Sequence, residues 1–579
     1  MASITVTWTE ATPVSGLLPY RLTVRNNSTG SVAATTNPAA TATTATVTGL
    51  AAGTSFTIEL QAPNSAGYST AATAIATTPS TTSPPPPPVS PPPPPVASGV
   101  LPFDMPARSV LASSSKKVWY HWMGGAFQIS VDDKNGATDS TEYWRQYWMP
   151  PGTTEGAGQS WAINHNTYGG LVRDRKLTRP PRGTNFDLLD YQTEVNQVIA
   201  SGADGFTAEI LQVPVTGNTN PQRWGQINRL LDAMDVIGDS TFTLTLMPDS
   251  NSISGTSATD LANAINTLSS RRVTRVSGRL VLAPYSPETL GVTYWTNVIN
   301  ALVAQGHNPY FWPCYEAAVW STGQAPTFNS IAQGHSRWGV RDPVASASSA
   351  NDLAGAPAYC HATYGKPWMQ PCSVGDQRPN QGVYTEQRNS DQLVASWMAA
   401  INAGADCDWV QVPTWDDFAE GAQICPQQTS GYAWLDITSY FLVRYKTGSW
   451  PTIVRDAIYL NHRRQPLTGV TYTGGQTLFQ NTLNGATAAS NQVEALVFAT
   501  SATGTVTLTV GGSNTTFDLS TMTAVAPGVY SCKVALATGS TAATLVRSGT
   551  TVASVTGPVT ISATQVSQDM SYHAKSSLR

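Results

Sequence analysis

The feature that most constrains this 579-residue chain is "SPPPPPVSPPPPPV", which places ten prolines inside residues 84–95. Proline lacks a backbone N–H and fixes φ near −65°, so such a run joins neither a helix interior nor a sheet. It is expected to form polyproline II, a stiff rod of roughly 35–40 Å at about 3.1 Å per residue. A ligand for an SH3-type domain is the other reading of the run. A spacer fits better, because the sequence on both sides reads as folded protein. A chain of this length also exceeds one ordinary domain.

Residues 1–80 alternate apolar and polar with period two in "SITVTW", "YRLTV", "TATVTGL" and "SFTIELQA". With Gly, Pro and Asn between the runs, this predicts a small antiparallel sandwich. The stretch "VTGLAAGTSFTIELQAPNSAG" resembles the fibronectin type III family, which would make Trp8 the core tryptophan. Phe56 stands where that family usually has Tyr, and the chain opens at what corresponds to the second strand. Either a boundary removed the first strand, or a partner on a virion or cell surface supplies one to that edge. The opening "MASITVTWTEA" has no basic stretch followed by an apolar one, so no signal peptide is read there. An extracellular protein whose leader was removed, or a phage virion tail component, is expected.

From residue 100 to 467 short apolar runs alternate with helix-length amphipathic segments. The strands are read in "KKVWYHWM", "GFTAEILQV", "TFTLTLMP", "RLVLAPY", "NPYFWPCY", "SRWGV", "KPWMQPCS" and "CDWVQVPTW". The helices are read in "FDLLDYQTEVNQVIASGA", "QRWGQINRLLDAMDVIG", "ATDLANAINTLSSR", "VTYWTNVINALVAQG" and "SDQLVASWMAAINAGA". Repeated β-then-α with eight candidate strands predicts a (β/α)8 TIM-type barrel. A doubly wound open sheet is the runner-up, but no G-x-G-x-x-G follows the first strand. Alternation returns over residues 468–579 in "EALVFAT", "GTVTLTVGGS" and "GVYSCKVAL". A C-terminal β-sandwich abutting the barrel is expected. The chain is thus multidomain: sandwich 1–80, linker 81–99, barrel 100–467 and sandwich 468–579.

Charged residues are only 12% of the chain and the net charge is −4, with no Lys/Arg cluster, which argues against nucleic acid or anionic membrane as a partner. No apolar run reaches the roughly 18 residues that a membrane span needs. The six cysteines match no zinc spacing, so no metal or cofactor is expected. One or two local disulfides, Cys360 with Cys372 for example, and free buried thiols are both open readings.

In a (β/α)8 barrel the active site lies at the C-terminal strand ends. Taken there, the first strand gives His121 and Trp122, the second Glu209, and the third Asp249 and Asn251. The fourth gives Tyr285 and Glu288, the fifth Tyr315 and Glu316, the seventh Asp376, Gln377 and Arg378, and the eighth Trp415, Asp416, Asp417 and Glu420. Carboxylates interleaved with flat aromatic rings suit a polysaccharide, whose hydroxyls and pyranose faces they can hold.

The stretch "TWDDFAEG" resembles the Trp-Asn-Asp-Tyr-Gly-Glu-Ser signature of glycoside hydrolase family 71. Trp415, Asp417 and Glu420 match it, while Asp416, Phe418, Ala419 and Gly421 depart from it. "YGGLVRDRKLTRPP" and "LVLAPYSPETLGVTYWTNVINAL" also look like bacterial relatives of that family, over about residues 115–570. The resemblance implies an inverting α-1,3-glucanase with Asp417 and Glu420 as the catalytic pair. Glu420 is read as the general acid, raised by Trp415 and Phe418, and Asp417 as the base, with the reverse assignment open. His121, Trp122, Glu209, Asp249, Asn251, Tyr285, Tyr315, Glu316, Asp376, Arg378, Trp415 and Asp416 are the candidate substrate-binding residues.

Blander readings stand beside these. The acidic cluster could be a solvated loop or a Ca2+ site. Asp249 could cap a helix, Asp376 and Arg378 could pair with each other, and His121 and Trp122 could simply fill the top of the barrel. A non-catalytic glycan-binding or adhesion protein is the competing function.

Overall fold

The computed structural model describes residues 2–9, 19–39, 41–64, 67–78, 99–125, 167–177 and 185–579. The polyproline run lies outside the described residues. The chain divides into two compact units, residues 1–89 and 90–579.

In the first unit Ala2–Thr7 pairs antiparallel with Thr44–Leu50. A second sheet runs in the order Val32–Thr36, Arg21–Asn26, Ser55–Gln61, Ala72–Thr77. Alternation sorts the side chains: Ile4, Leu22, Val24, Val47, Leu50, Phe56 and Ile58 form the core between the sheets. Trp8, expected in that core, lies just past the end of its strand. There it is half-buried, with its ring edge against Tyr20 at 5.3 Å.

The second unit is built on a curled, parallel sheet. Lys117–Trp122 lies between Gly205–Ile210 and Trp409–Val412. On one side follow Thr243–Pro248, Arg279–Leu282 and Tyr310–Phe311, and on the other Trp368–Pro371, His335–Arg337 and Cys314–Tyr315. Strand side chains alternate between two faces. Tyr120, Trp122, Phe206, Ala208, Leu244, Leu246, Val410 and Val412 pack against the helices. Trp119, Met247, Val281, Ala283, Trp312, Cys314 and Met369 meet one another on the inner face. The curl is visible there: Trp312, between Tyr310–Phe311 and Cys314–Tyr315, stacks on Trp409 of a strand that pairs with neither, with centroids 4.5 Å apart.

The helices Phe186–Ser201, Gln222–Ile237, Ala258–Leu268, Gly291–Ala304 and Asp391–Asn402 fall on the five amphipathic segments. The first ends at Gly202, whose left-handed φ of 95° closes the last turn at no steric cost. Gly205 permits close strand contact, since a Cβ there would lie 1.8 Å from the Thr243 carbonyl oxygen. A further helix, Ala433–Thr447, is buried on nearly every side.

Two four-stranded sheets follow: Val529–Ala535, Gln492–Phe498, Ala457–Arg463, Tyr572–Ser576, and Ser513–Asp518, Thr505–Val510, Thr541–Arg547, Thr550–Thr556. Ala457–Arg463 is buried on both faces. Ile458 and Leu460 enter the sandwich core. Ala457 and Tyr459 join the core of the parallel sheet and its helices. This strand therefore fastens the sandwich to the larger body. All six cysteines are free and buried, so the Cys360–Cys372 disulfide does not form. Among the described residues no helix is long and apolar enough to cross a membrane.

Candidate active site

The acidic motif follows the strand Trp409–Val412, and its local hydrogen bonds fix it as a tight turn. Thr414 Oγ1 accepts from the Asp417 N–H at 2.8 Å, and Asp417 Oδ1 accepts from the N–H groups of Ala419 and Glu420 at 3.0 and 3.1 Å. The Trp415 N–H donates to the His121 carbonyl, which ties the turn to the first parallel strand.

The three acids of the motif then part company. Asp416 turns inward, where it accepts from the Met123 N–H and from Lys176 Nζ, both at 2.8 Å. Lys176 also bonds Glu194 at 2.8 Å, and Glu194 accepts the Trp415 indole N–H at 2.8 Å. Trp415 stacks on Tyr120 with centroids 5.6 Å apart and planes 9° from parallel. Asp416 and Trp415 are thus fully buried struts of the turn, and neither is placed to meet a substrate. Nor does Trp415 bear on Glu420 as expected, because its indole points to Glu194.

Glu420 instead faces two guanidinium groups, Arg341 at 2.7 Å and Arg378 at 3.0 Å. The same two arginines hold Asp376, at 2.8 and 2.9 Å. Asp376 and Arg378 do pair with each other, but as half of a four-membered network. A strand at Val383–Thr385, parallel to Thr482–Asn484, steadies their loop from the sandwich side. Arg341 is itself buried and takes a left-handed backbone with φ 59°. Such strain costs about 1–3 kcal/mol and is typically held at functional positions.

Asp417 is 3% exposed. Burial first, then the Glu420 charge, push its carboxyl up to about 8, against the pull of Arg341. Burial holds His121 down at about 3, helped by the Arg341 charge, so its imidazole is neutral. Neither ring nitrogen of His121 has a hydrogen-bond partner among the described residues. Its ring meets the edge of Trp338 at 4.7 Å, and Trp338 meets Tyr285 at 4.9 Å. Glu209 lies on the same inner face, raised well above the carboxylate range by burial and by the Asp249, Asp417, Glu420 and Asp416 charges. Asp249 accepts from the Asn251 N–H at 3.0 Å and from the Ser252 hydroxyl, which closes a local turn. The helix that follows is capped by Ser257 instead. Asn251 and Glu316 are exposed, and each bonds the neighbouring loop: Asn251 accepts from Thr289, and the Glu316 N–H donates to Glu288.

Strand parity corrects two more expectations. Trp122 and Tyr315 both point to the helix face. There Trp122 packs on Tyr191 and Phe206, and Tyr315 packs on Phe328 with its hydroxyl 3.1 Å from His335 Nδ1. The side chains that do gather are His121, Glu209, Tyr285, Asp376, Arg378, Asp417 and Glu420, with Asp249 bearing on Glu209. Trp338 and Arg341 were not foreseen. The strand-end rule, applied to the sixth strand at His335–Arg337, reaches both.

Residues 182–574 match the sequence profile of Glycosyl hydrolase family 71. The chain belongs to glycosyl hydrolase family 71. Residues 2–78 match the Fibronectin type III domain, so this family 71 glycoside hydrolase carries a fibronectin type III sandwich at its N-terminal end. No curated protein matches the chain. Among solved structures, a "Glycoside hydrolase-like protein" is 11% identical, with 44% of this chain and 85% of that chain covered and a TM-score of 0.35. A glycosyl hydrolase family 2 member from Bacteroides cellulosilyticus is 7% identical, with coverages of 94% and 59% and a TM-score of 0.38. The fn3 domain of human collagen alpha-1(XX) is 27% identical, with coverages of 14% and 77% and a TM-score of 0.13. Likenesses at these scores carry no part of the argument.

Proposed function

We propose that this family 71 glycosidase hydrolyses an α-glucan, α-1,3-glucan in particular, with inversion at the anomeric carbon. One observation carries the reading. Two carboxyls sit three residues apart on one turn, Asp417 buried and Glu420 facing two guanidinium groups, so their surroundings differ as an acid and a base require. Asp417, buried and raised to about 8, is the general acid that protonates the departing glycosidic oxygen. Glu420, its charge matched by Arg341 and Arg378, is the base that takes a proton from the attacking water. A carboxylate has about four lone-pair sites, so two guanidinium contacts leave room for that water. This reverses the assignment favoured by the motif alone. Inversion calls for a carboxyl separation of roughly 6.5–9.5 Å with glycan bound.

The strand ladder supports reading the curled sheet as a closed (β/α)8 barrel. Tyr310–Phe311 pairs with Arg279–Leu282, and Cys314–Tyr315 pairs with His335–Arg337. The intervening backbone bonds onward, with Trp312 N–H to Leu282 and Cys314 N–H to Pro284. An extracellular setting, secreted or on a phage tail, suits the low charge and the sandwich modules. Incubation with a panel of α- and β-glucans tests the reading. Reducing sugar should be released from α-1,3-glucan and lost in Asp417→Asn, and release from β-glucans alone would refute it.

A further inference from the structure

The acids gathered around Glu209 have partners for their carboxyls, and among the described residues Glu209 does not. Asp416 has Lys176, Asp376 and Glu420 have Arg341 and Arg378, Asp417 has two backbone N–H groups, and Asp249 has the Asn251 N–H and the Ser252 hydroxyl. Glu209 is 6% exposed, and among the described residues neither a hydrogen bond nor a cation reaches its carboxyl, with Oε2 fully buried. It belongs to the strand Gly205–Ile210, which lies directly between the strand that carries His121 and the strand Thr243–Pro248 that Asp249 follows. Parity puts it on the inner face with Thr207 and His121. Thr207 Oγ1, both His121 nitrogens and Gln411 Oε1 on that face also lack partners among the described residues.

An ionised carboxylate buried without a partner is far costlier than the neutral acid. A buried polar atom left unpaired in a native site calls for a ligand or a water. The charged and titratable groups around Glu209 agree. Asp249, Asp417, Glu420 and Asp416 all oppose its ionisation, and burial makes His121 neutral. We propose that Glu209 is a neutral carboxylic acid that donates its O–H to a hydroxyl or bridging oxygen of the bound glycan, and is neither the acid nor the base of hydrolysis. Sugar ring and bridging oxygens only accept hydrogen bonds, so a neutral donor here can meet them without adding another negative charge to the site. The ligand half of this proposal rests on the glycan reading of the site.

The test compares Glu209→Gln with Glu209→Ala in the full chain, using a soluble α-1,3-gluco-oligosaccharide. The amide keeps a neutral donor, so Glu209→Gln should bind the oligosaccharide at least about threefold more tightly than Glu209→Ala. Losing the donor in Glu209→Ala should weaken binding about tenfold or more. Infrared difference spectra of the unliganded protein should lose a protonated-carboxyl band in Glu209→Gln. A Glu209→Gln activity as low as that of Asp417→Asn, or loss of a carboxylate band instead, overturns the neutral state. Unchanged binding in Glu209→Ala overturns the contact. If the parent protein binds no glucan at all, the glycan reading and the ligand half fail together, and the infrared result still judges the neutral carboxyl alone.

Discussion

The Glu420 N–H donates to Asp417 Oδ1 at 3.1 Å, so one turn of backbone fixes the two carboxyls of the motif relative to each other. Among the described residues only one of them meets cations through its side chain. Glu420 faces Arg341 and Arg378, whereas Asp417 is buried against the sheet. The same turn thus sets its two acids in different surroundings.

If Asp417 donates the proton, it must be protonated to work. Its carboxyl is pushed up to about 8, so the acid form prevails below that pH and disappears above it. Activity should fall as pH rises through about 8. Asp417→Asn should lose that limb and about 10²–10⁴-fold in kcat, with recovery on substrates whose leaving group needs no proton. A pH–rate profile of both forms checks this.

Arg341 works against the raised Asp417 carboxyl, which its charge pulls downward. Replacing it by Gln should move the alkaline limb to higher pH. It should also lower kcat about tenfold or more, by leaving Glu420 and Asp376 with Arg378 alone. An alkaline limb that stays in place would show that Arg341 does not act on Asp417.

Lys176 answers two buried carboxylates, Asp416 and Glu194, at 2.8 Å each. Lys176→Met leaves both without their cation, a loss of about 3–5 kcal/mol for breaking a buried pair. Denaturant unfolding of the second unit should show it. A change below about 1 kcal/mol would mean that the turn does not depend on the strut.

Trp338 packs between His121 and Tyr285 on the inner face. Trp338→Ala should raise KM about tenfold while kcat changes less, because the ring offers a stacking surface and no proton. Steady-state kinetics on gluco-oligosaccharides of increasing length read this directly.

The sequence told where elements lie more reliably than where side chains point. Period-two and helical spacing located the parallel strands and five helices, because each of those helices has a polar side. Ala433–Thr447 showed no such side, since the parallel sheet's core and the C-terminal sandwich bury it from both directions. A position near a strand's end does not settle which face its side chain takes, because a shift of one residue reverses the face. His121 and Glu209 therefore lie on the inner face, while Trp122 and Tyr315 belong to the helix side. Asp416 looked like part of an acidic cluster because its partner, Lys176, lies 240 residues earlier in the chain. The polyproline run, read as a spacer, falls outside the described residues.

The most direct measurement is NMR of the first product released from α-1,3-glucan. The account predicts the β-anomer, formed before mutarotation, and its loss in both Asp417→Asn and Glu420→Gln. An α-anomeric first product, or full activity in either variant, would contradict it.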